Sequence, residues 1–238
     1  MIGQPSSTTS SEPAMTIQQT SHSGALLWSG LVRRLLLGLV VLLISAAPAQ
    51  AVIEEAVFAG GCFWCLEHDL EVLPGVVDAV SGYSGGSKDN PTYRQVTAGG
   101  TGHLESVQVR FETDQISYPT LLRAFWRNVD PLDGGGQFCD RGASYRPAIF
   151  TSGTRQQEQA LASLQAASRE LDQKAATIRV QIRPLSRFWP AETYHQNYAR
   201  QNKLKYNYYR WSCGRDQRLN QIWGSKARTS MPWPEQKP

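Results

Sequence analysis

Val57-Phe58-Ala59-Gly60-Gly61-Cys62-Phe63-Trp64-Cys65-Leu66 is the stretch whose reading decides how this chain folds. It opens on β-branched and aromatic residues, two glycines then let the backbone turn, and Leu66, Leu70 and Leu73 follow at helical spacing. A strand therefore runs directly into a helix, with Cys62 at the helix N-terminus. Unpaired backbone N–H groups and the helix dipole favour a thiolate there, which makes Cys62 a candidate nucleophile. The competing reading is a buried small hydrophobe, since free cysteine is among the most buried residue types.

Working outward, strand signals recur at 55–59, 76–81, 104–112, 146–151 and 178–183, with helical signals between most of them. Residues 117–129 read as a helix with Leu121, Leu122, Phe125, Trp126 and Val129 apolar. Thr154 and Gln157 have the spacing of a capping box ahead of Leu161, Leu164 and Leu171 on one face. Ile178, Val180 and Ile182 alternate with Arg179, Gln181 and Arg183, the pattern of a strand with one wet face. The pattern predicts an α+β domain of two layers, helices against one sheet. Long glycine-rich loops at 81–102 and 130–142 interrupt it, and loops of that length in a compact domain usually carry function.

Residues 1–51 read as an N-terminal extension and signal peptide. A stretch rich in Ser, Thr, Gln and Pro is followed by Arg33 and Arg34, then an apolar run from Leu35 to Ala47 and small-residue cleavage sites around Ala47-Pro48-Ala49 and Ala49-Gln50-Ala51. The apolar run holds 13 residues, too few to span a bilayer. Met15 is an alternative start. The expected product is exported, to the periplasm or another extracytoplasmic compartment, and membrane-tethered if the signal stays uncleaved. Residues 52–238 remain as one catalytic domain of 187 residues, enough for a substantial core. Its 22 basic and 19 acidic side chains leave a charge of +3, which gives no argument for a nucleic-acid partner. Cysteine number alone does not decide between structural and redox-active disulfides for the four present.

Three further places carry candidate chemistry. Glu105 begins the 104–112 strand in phase with apolar Val107, Val109 and Phe111. A carboxyl at the mouth of an apolar face loses hydration of its charged form, so it is expected to stay protonated near neutral pH and to serve as a general acid. Tyr93 and Tyr145, at the edges of the two glycine-rich loops, offer phenolic donors that stay protonated at neutral pH and would suit an oxygen gaining negative charge. Cys213 lies in the late polar segment Arg210-Trp211-Ser212-Cys213-Gly214-Arg215-Asp216, where a mobile tail would let it resolve a sulfenic acid elsewhere. The alternative for Cys213 is half of a structural disulfide with Cys139. Asp140, taken alone, reads as a turn former.

Four ordered blocks, Gly61-Cys62-Phe63-Trp64, Asn90-Pro91-Thr92-Tyr93 through Gly102-His103-Leu104-Glu105, Asp140 to Arg146, and Tyr194-His195-Gln196-Asn197-Tyr198, together resemble peptide methionine sulfoxide reductases of the A class over roughly residues 54–224. The resemblance implies a ferredoxin-like α/β sandwich and reduction of the S epimer of methionine sulfoxide, free or in proteins. It implies Cys62 as nucleophile, Phe63 and Trp64 as the pocket for the substrate's S-methyl group, Glu105 as proton donor, Tyr93 and Tyr145 as donors to the sulfoxide oxygen, and Asp140 as support. Cys213 would resolve the sulfenic acid as a Cys62–Cys213 disulfide, recycled by a thioredoxin-like reductant with no metal or organic cofactor. A monomer is expected, and His195 is read as scaffold. The tail departs from many relatives in having one cysteine rather than two, and Cys139 and Pro147 stand where many relatives carry Asn and Ser.

Rival readings are weaker. Cys62-Phe63-Trp64-Cys65 as a CxxC thiol-disulfide oxidoreductase leaves Glu105 and the tyrosines without a role. A zinc module from Cys62, Cys65, Cys139 and Cys213 lacks a second short pair. A Cys62, His195, Asn197 hydrolase puts two of its members two apart on one predicted helix, facing different ways. The aromatic and basic residues of 200–218 read as a solvated tail rather than an RNA contact.

Overall fold

Strand β1 (Ile53–Ala59) runs through the middle of the molecule, and its alternation explains the layers. Ala56 and Phe58 point into the main core, whereas Val57 and Ala59 point to a smaller apolar cluster on the opposite face of the sheet. A computed structural model describes residues 51–234, and from Ala51 onward the chain forms one compact unit. The signal peptide, its cleavage sites and the alternative start lie outside the described residues. No described helix is long and apolar enough to cross a membrane.

The remaining strands are β2 (Val76–Ser84), β3 (Leu104–Glu112), β4 (Gly136–Gln137), β5 (Asp140–Arg141), β6 (Ala148–Thr151), β7 (Gln181–Pro184) and β8 (Phe188–Pro190). The helices are α1 (Phe63–Glu71), α2 (Tyr93–Thr97), α3 (Tyr118–Trp126), α4 (Thr154–Glu170), α5 (Tyr198–Gln201), α6 (Lys203–Ser212) and α7 (Arg215–Trp223). Six strands form a sheet in the order β7-β6-β1-β3-β2-β8. Its inner four, β6-β1-β3-β2, are antiparallel neighbours, with helices crossing from β1 to β2 and from β3 to β6. That is the double split-βαβ plan of a ferredoxin-like sandwich. β7 extends it in parallel beside β6, and β8 pairs antiparallel with β2. Phe188 of β8 lies so close to Gly82 that a Cβ there would sit 2.4 Å from its ring.

Several elements differ from their sequence signals. β7 begins at Gln181 rather than 178, because the Arg179 N–H donates to Pro131 O at 2.7 Å and so turns the preceding residues toward the 130s loop. The capping box expected at Thr154 is absent, since Gly153 is the N-cap and Thr154 is already helical. One forms instead at Thr92 and Gln95, and it starts α2. α4 buries Ala160, Ser163 and Ala167 most deeply, Leu164 and the C-cap Leu171 pack partly buried against the core, and Leu161 is 49% exposed. The reason is volume: the Trp126 ring of α3 fills this contact, and its indole N–H donates to Ser163 Oγ at 2.8 Å.

The largest departure is the C-terminal segment, expected as a mobile polar tail. It is helical and anchored. Arg210 donates to Asp69 at 2.8 Å and to Asp216 at 2.7 Å. Arg215, 1% exposed, reaches Asn128 O at 2.6 Å and Gly60 O at 3.3 Å, with Asp69 at 3.7 Å. Leu219 and Trp223 enter the main core. Charged residues look like surface in a sequence, but here buried acceptors balance them. Replacing Arg215 with Met keeps volume while leaving two buried carbonyls without their donor. It should destabilise the fold by about 3 kcal/mol, read as a lower denaturant midpoint at constant slope; a loss under about 1 kcal/mol would show that this anchor is idle.

Candidate active site

Gly61 makes the strand-to-helix turn at φ +82, and a Cβ there would sit 2.6 Å from the Gln137 side chain, so glycine is required on both counts. Cys62 follows as the N-cap of α1, and its carbonyl accepts from Cys65 N at 3.1 Å and Leu66 N at 3.3 Å. The expected helix-start position is therefore found. Its burial is not what the thiolate reading assumed: Cys62 is 6% exposed. Burial pushes its thiol well above the ordinary range, and hydrogen bonding to Cys65 and the charge of Glu105 push the same way. In the free site Cys62 is thus a thiol, because desolvation outweighs the helix end.

Glu105 lies at the start of β3 on the same face as Val107, Val109 and Phe111, as its phase predicts. Register pairs it with Tyr83 of β2. Its Oε2 accepts the Phe63 N–H at 3.1 Å, which brings the carboxyl to the residue next to Cys62. Burial raises its pKa to about 8; the Phe63 N–H pulls it down, and the negative charge of Asp140 raises it further. At neutral pH the group is therefore mostly protonated, a proton donor that is 2% exposed.

The two tyrosines converge on this carboxyl from separate elements. Tyr93 opens α2, and its N–H donates to Glu192 at 2.9 Å. Tyr145 ends a short 3-10 turn at Ala143–Tyr145. Burial raises the Tyr93 pKa to about 12 and pushes Tyr145 upward too, with the charge of Glu105 adding to both. Both hydroxyls remain protonated donors. Phe63 and Trp64 form an aromatic wall with Tyr93 and His195, the ring centroids of Phe63 and His195 being 4.9 Å apart. Trp64 stacks on Tyr198 at 3.7 Å.

Asp140 is joined to the site through Tyr209, whose hydroxyl donates to its carboxylate at 2.5 Å and also faces the Cys62 sulfur. Sequence reading missed Tyr209, because it lies in the segment read as solvated. His195, read as scaffold, is a ring 1% exposed that packs among Phe63, Trp64 and Tyr93. The Trp64 indole N–H donates to its Nδ1 at 3.1 Å, so the ring proton sits on Nε2. Glu192, hidden in the sequence as an ordinary acid, ties Tyr93 to the Tyr83 hydroxyl at 2.8 Å.

Of the four cysteines, Cys62 and Cys65 are free and buried, and Cys139 is disulfide-bonded to Cys213 with Cα atoms 5.0 Å apart. The expected Cys62–Cys213 bond is thus not the one the structure holds; the alternative pairing is. Cys213 Sγ lies 4.0 Å from the Asp140 carboxylate, which accepts the Tyr209 hydroxyl at 2.5 Å. Cys139, Asp140 and Cys213 also form a cluster of metal-ligating types, but the disulfide occupies both sulfurs.

A ferredoxin-like sandwich carrying a buried cysteine beside a neutral carboxyl and an accessible disulfide defines a cysteine-based oxidoreductase. Residues 54–227 match the family model described as peptide methionine sulfoxide reductase. Among curated relatives, a peptide methionine sulfoxide reductase MsrA 2 of Caulobacter vibrioides is 50% identical over 182 residues, 76% of this chain and 91% of that one. The MsrA of Bacillus subtilis is 44% identical over 175 residues, 73% of this chain and 97% of that one. Among solved structures, methionine sulfoxide reductase A of Corynebacterium diphtheriae superposes with a TM-score of 0.61 at 32% identity, covering 66% of this chain and 78% of that one. The chain belongs to the peptide methionine sulfoxide reductase family.

The carboxyl proton gives a direct test of the electrostatics. The side-chain carbon of Glu105, followed by NMR, should titrate with a midpoint near 8, and a midpoint near the usual 4.5 would remove the neutral acid.

Proposed function

We propose that this enzyme reduces methionine S-sulfoxide, free or in proteins, to methionine, with Cys62 as nucleophile and Glu105 as acid. The observation that carries this reading is the Phe63 N–H to Glu105 bond at 3.1 Å, which holds a protonated carboxyl beside the buried sulfur. The substrate's S-methyl group packs against Phe63 and Trp64, and its oxygen points at Glu105, Tyr93 and Tyr145. Cys62 sulfur attacks the sulfoxide sulfur while Glu105 gives a proton to the oxygen, so the electron pair of the breaking S–O bond is never left on a bare oxyanion in an apolar slot. The oxygen ends as a hydroxyl on Cys62, and methionine leaves. The Cys62 proton passes to the carboxylate that Glu105 has become, so the carboxyl is neutral again when the step is complete and no net proton is gained or lost.

Resolution follows when Cys213 attacks the Cys62 sulfenic acid and water departs, leaving a disulfide for a thioredoxin-like protein to reduce. Asp140, hydrogen-bonded by Tyr209 beside both sulfurs, supports this handover. The activity requires no metal or organic cofactor, and the enzyme works as a monomer. Residues 1–51 export it from the cytoplasm, a role consistent with an exposed disulfide surviving in an oxidising compartment. Mass measurement of the protein recovered from a periplasmic extract should give a chain starting at or near Ala51; a full-length chain retained in the cytosol would overturn the export reading.

With each sulfoxide epimer and dithiothreitol, only the S epimer should yield methionine. Cys62→Ser should abolish turnover, and Glu105→Gln should lower it about 10²- to 10⁴-fold. Because the acid acts in its protonated form, the rate should fall as pH rises through about 8. Cys65→Ser separates this chemistry from a CxxC oxidoreductase: sulfoxide reduction should largely survive it, and its loss would favour the rival.

A further inference from the structure

We infer that Glu67 is a positioning residue of the substrate pocket: through Asn197 it holds the Tyr198 ring against Trp64, and so sets the width of the slot that takes the S-methyl group. This rests on the sulfoxide-reductase reading above. Glu67 lies on α1 one turn beyond Phe63 and Trp64, and it is 2% exposed. A buried acid needs partners for its oxygens. Glu67 finds them on two separate elements: the Ser81 hydroxyl of β2 donates to Oε2, and the Asn197 N–H donates to Oε1 at 2.5 Å. A carboxylate accepts at both oxygens, so it suits two donors that converge from different sides.

The second of these bonds reaches the pocket. Asn197 has a left-handed backbone, with φ 54 and ψ 31, and is the N-cap of the short helix α5. Its N–H lies outside the hydrogen-bond ladder of that helix, and Glu67 supplies the acceptor. Tyr198 follows at once, and its ring covers one face of the Trp64 indole, with centroids 3.7 Å apart and planes 8° from parallel. Trp64 itself stands three residues before Glu67 on α1, on the same helix face. The contacts therefore close on themselves: Trp64 to Glu67 along α1, Glu67 to Asn197 by a hydrogen bond, Asn197 to Tyr198 by one peptide, and Tyr198 back to Trp64 by stacking.

Gln196 holds the same segment in a different way. Its Oε1 accepts from Ser81 N at 3.0 Å, and its Nε2 donates to Ser81 O at 2.9 Å and to Ala191 O at 3.0 Å. Gln196 thus fixes the segment to the sheet, whereas Glu67 ties it to the helix that carries the two rings of the methyl slot. Without the Glu67 bond the left-handed turn is free to relax, Tyr198 moves off the indole, and one wall of the slot loses its backing.

The test compares methionine S-sulfoxide with ethionine S-sulfoxide, as the ratio of their single-turnover efficiencies on the same reduced, full-length protein. One methylene in an apolar pocket is worth about 10- to 200-fold. A variant that only unfolds a fraction of the molecules slows both substrates equally and leaves the ratio where it was, so the ratio reports the slot. Glu67→Met keeps the volume and removes both acceptors; it should lower the methyl-over-ethyl ratio about fivefold or more. Glu67→Gln, whose amide oxygen still accepts the Asn197 N–H, should keep the ratio within about twofold of wild type. Ser81→Ala, which cuts only the bond to β2, should do the same. A wild-type ratio in Glu67→Met, or an equal loss in Ser81→Ala, would overturn the positioning role and leave Glu67 as a link between α1 and β2. If Glu67→Met does not fold, Glu67→Asp carries the test, because its carboxyl is one methylene too short to span both donors; an unchanged ratio there overturns the role. No methionine from the reduced wild type would instead remove the reductase reading on which the inference stands.

Discussion

A carboxyl group on the apolar face of a central strand is the constraint around which this protein is arranged. Glu105 shares its face with Val107, Val109 and Phe111, and hydration is denied to it. An acid in that position is tolerated as a neutral group that accepts one backbone hydrogen bond, which the Phe63 N–H supplies. The same bond ties the first residue of helix α1, next to Cys62, to the start of strand β3. Tyr93 and Tyr145 then arrive from two loops whose own anchors, the Thr92 capping box and the 3-10 turn at Ala143–Tyr145, are local. Electrostatics and packing are one arrangement here: the burial that keeps the proton on Glu105 also keeps water from the sulfur.

Much of this was legible before any coordinates. The strand-turn-helix at Cys62, the phase of Glu105 and the strand over 104–112 rest on short-range periodicity, and short-range periodicity survives folding. What was not legible depends on partners far away in the sequence. Leu161 looked like a core residue, and Ala160 was one instead, because Trp126 already filled the space between α3 and α4. Arg210 and Arg215 looked like surface, and Asp69, Asn128 and Gly60 turned them inward. Tyr209 and Glu192 carry no local signature, since a hydroxyl or a carboxylate shows its importance only through the group it meets.

The free thiol at Cys62 corrects a common shortcut. A helix N-terminus favours a thiolate when the sulfur is solvated well enough for the dipole to decide. At 6% exposure desolvation wins, and reactivity has to be delivered by the substrate and its proton donor together.

Arg215 has a consequence for how the fold closes. Its guanidinium braces Gly60 and Asn128, yet it stands 155 residues beyond Gly60 in the chain. The loop that carries the nucleophile is therefore held by a contact between parts of the chain that are far apart in sequence, and a contact of that kind costs loop-closure entropy before it contributes anything.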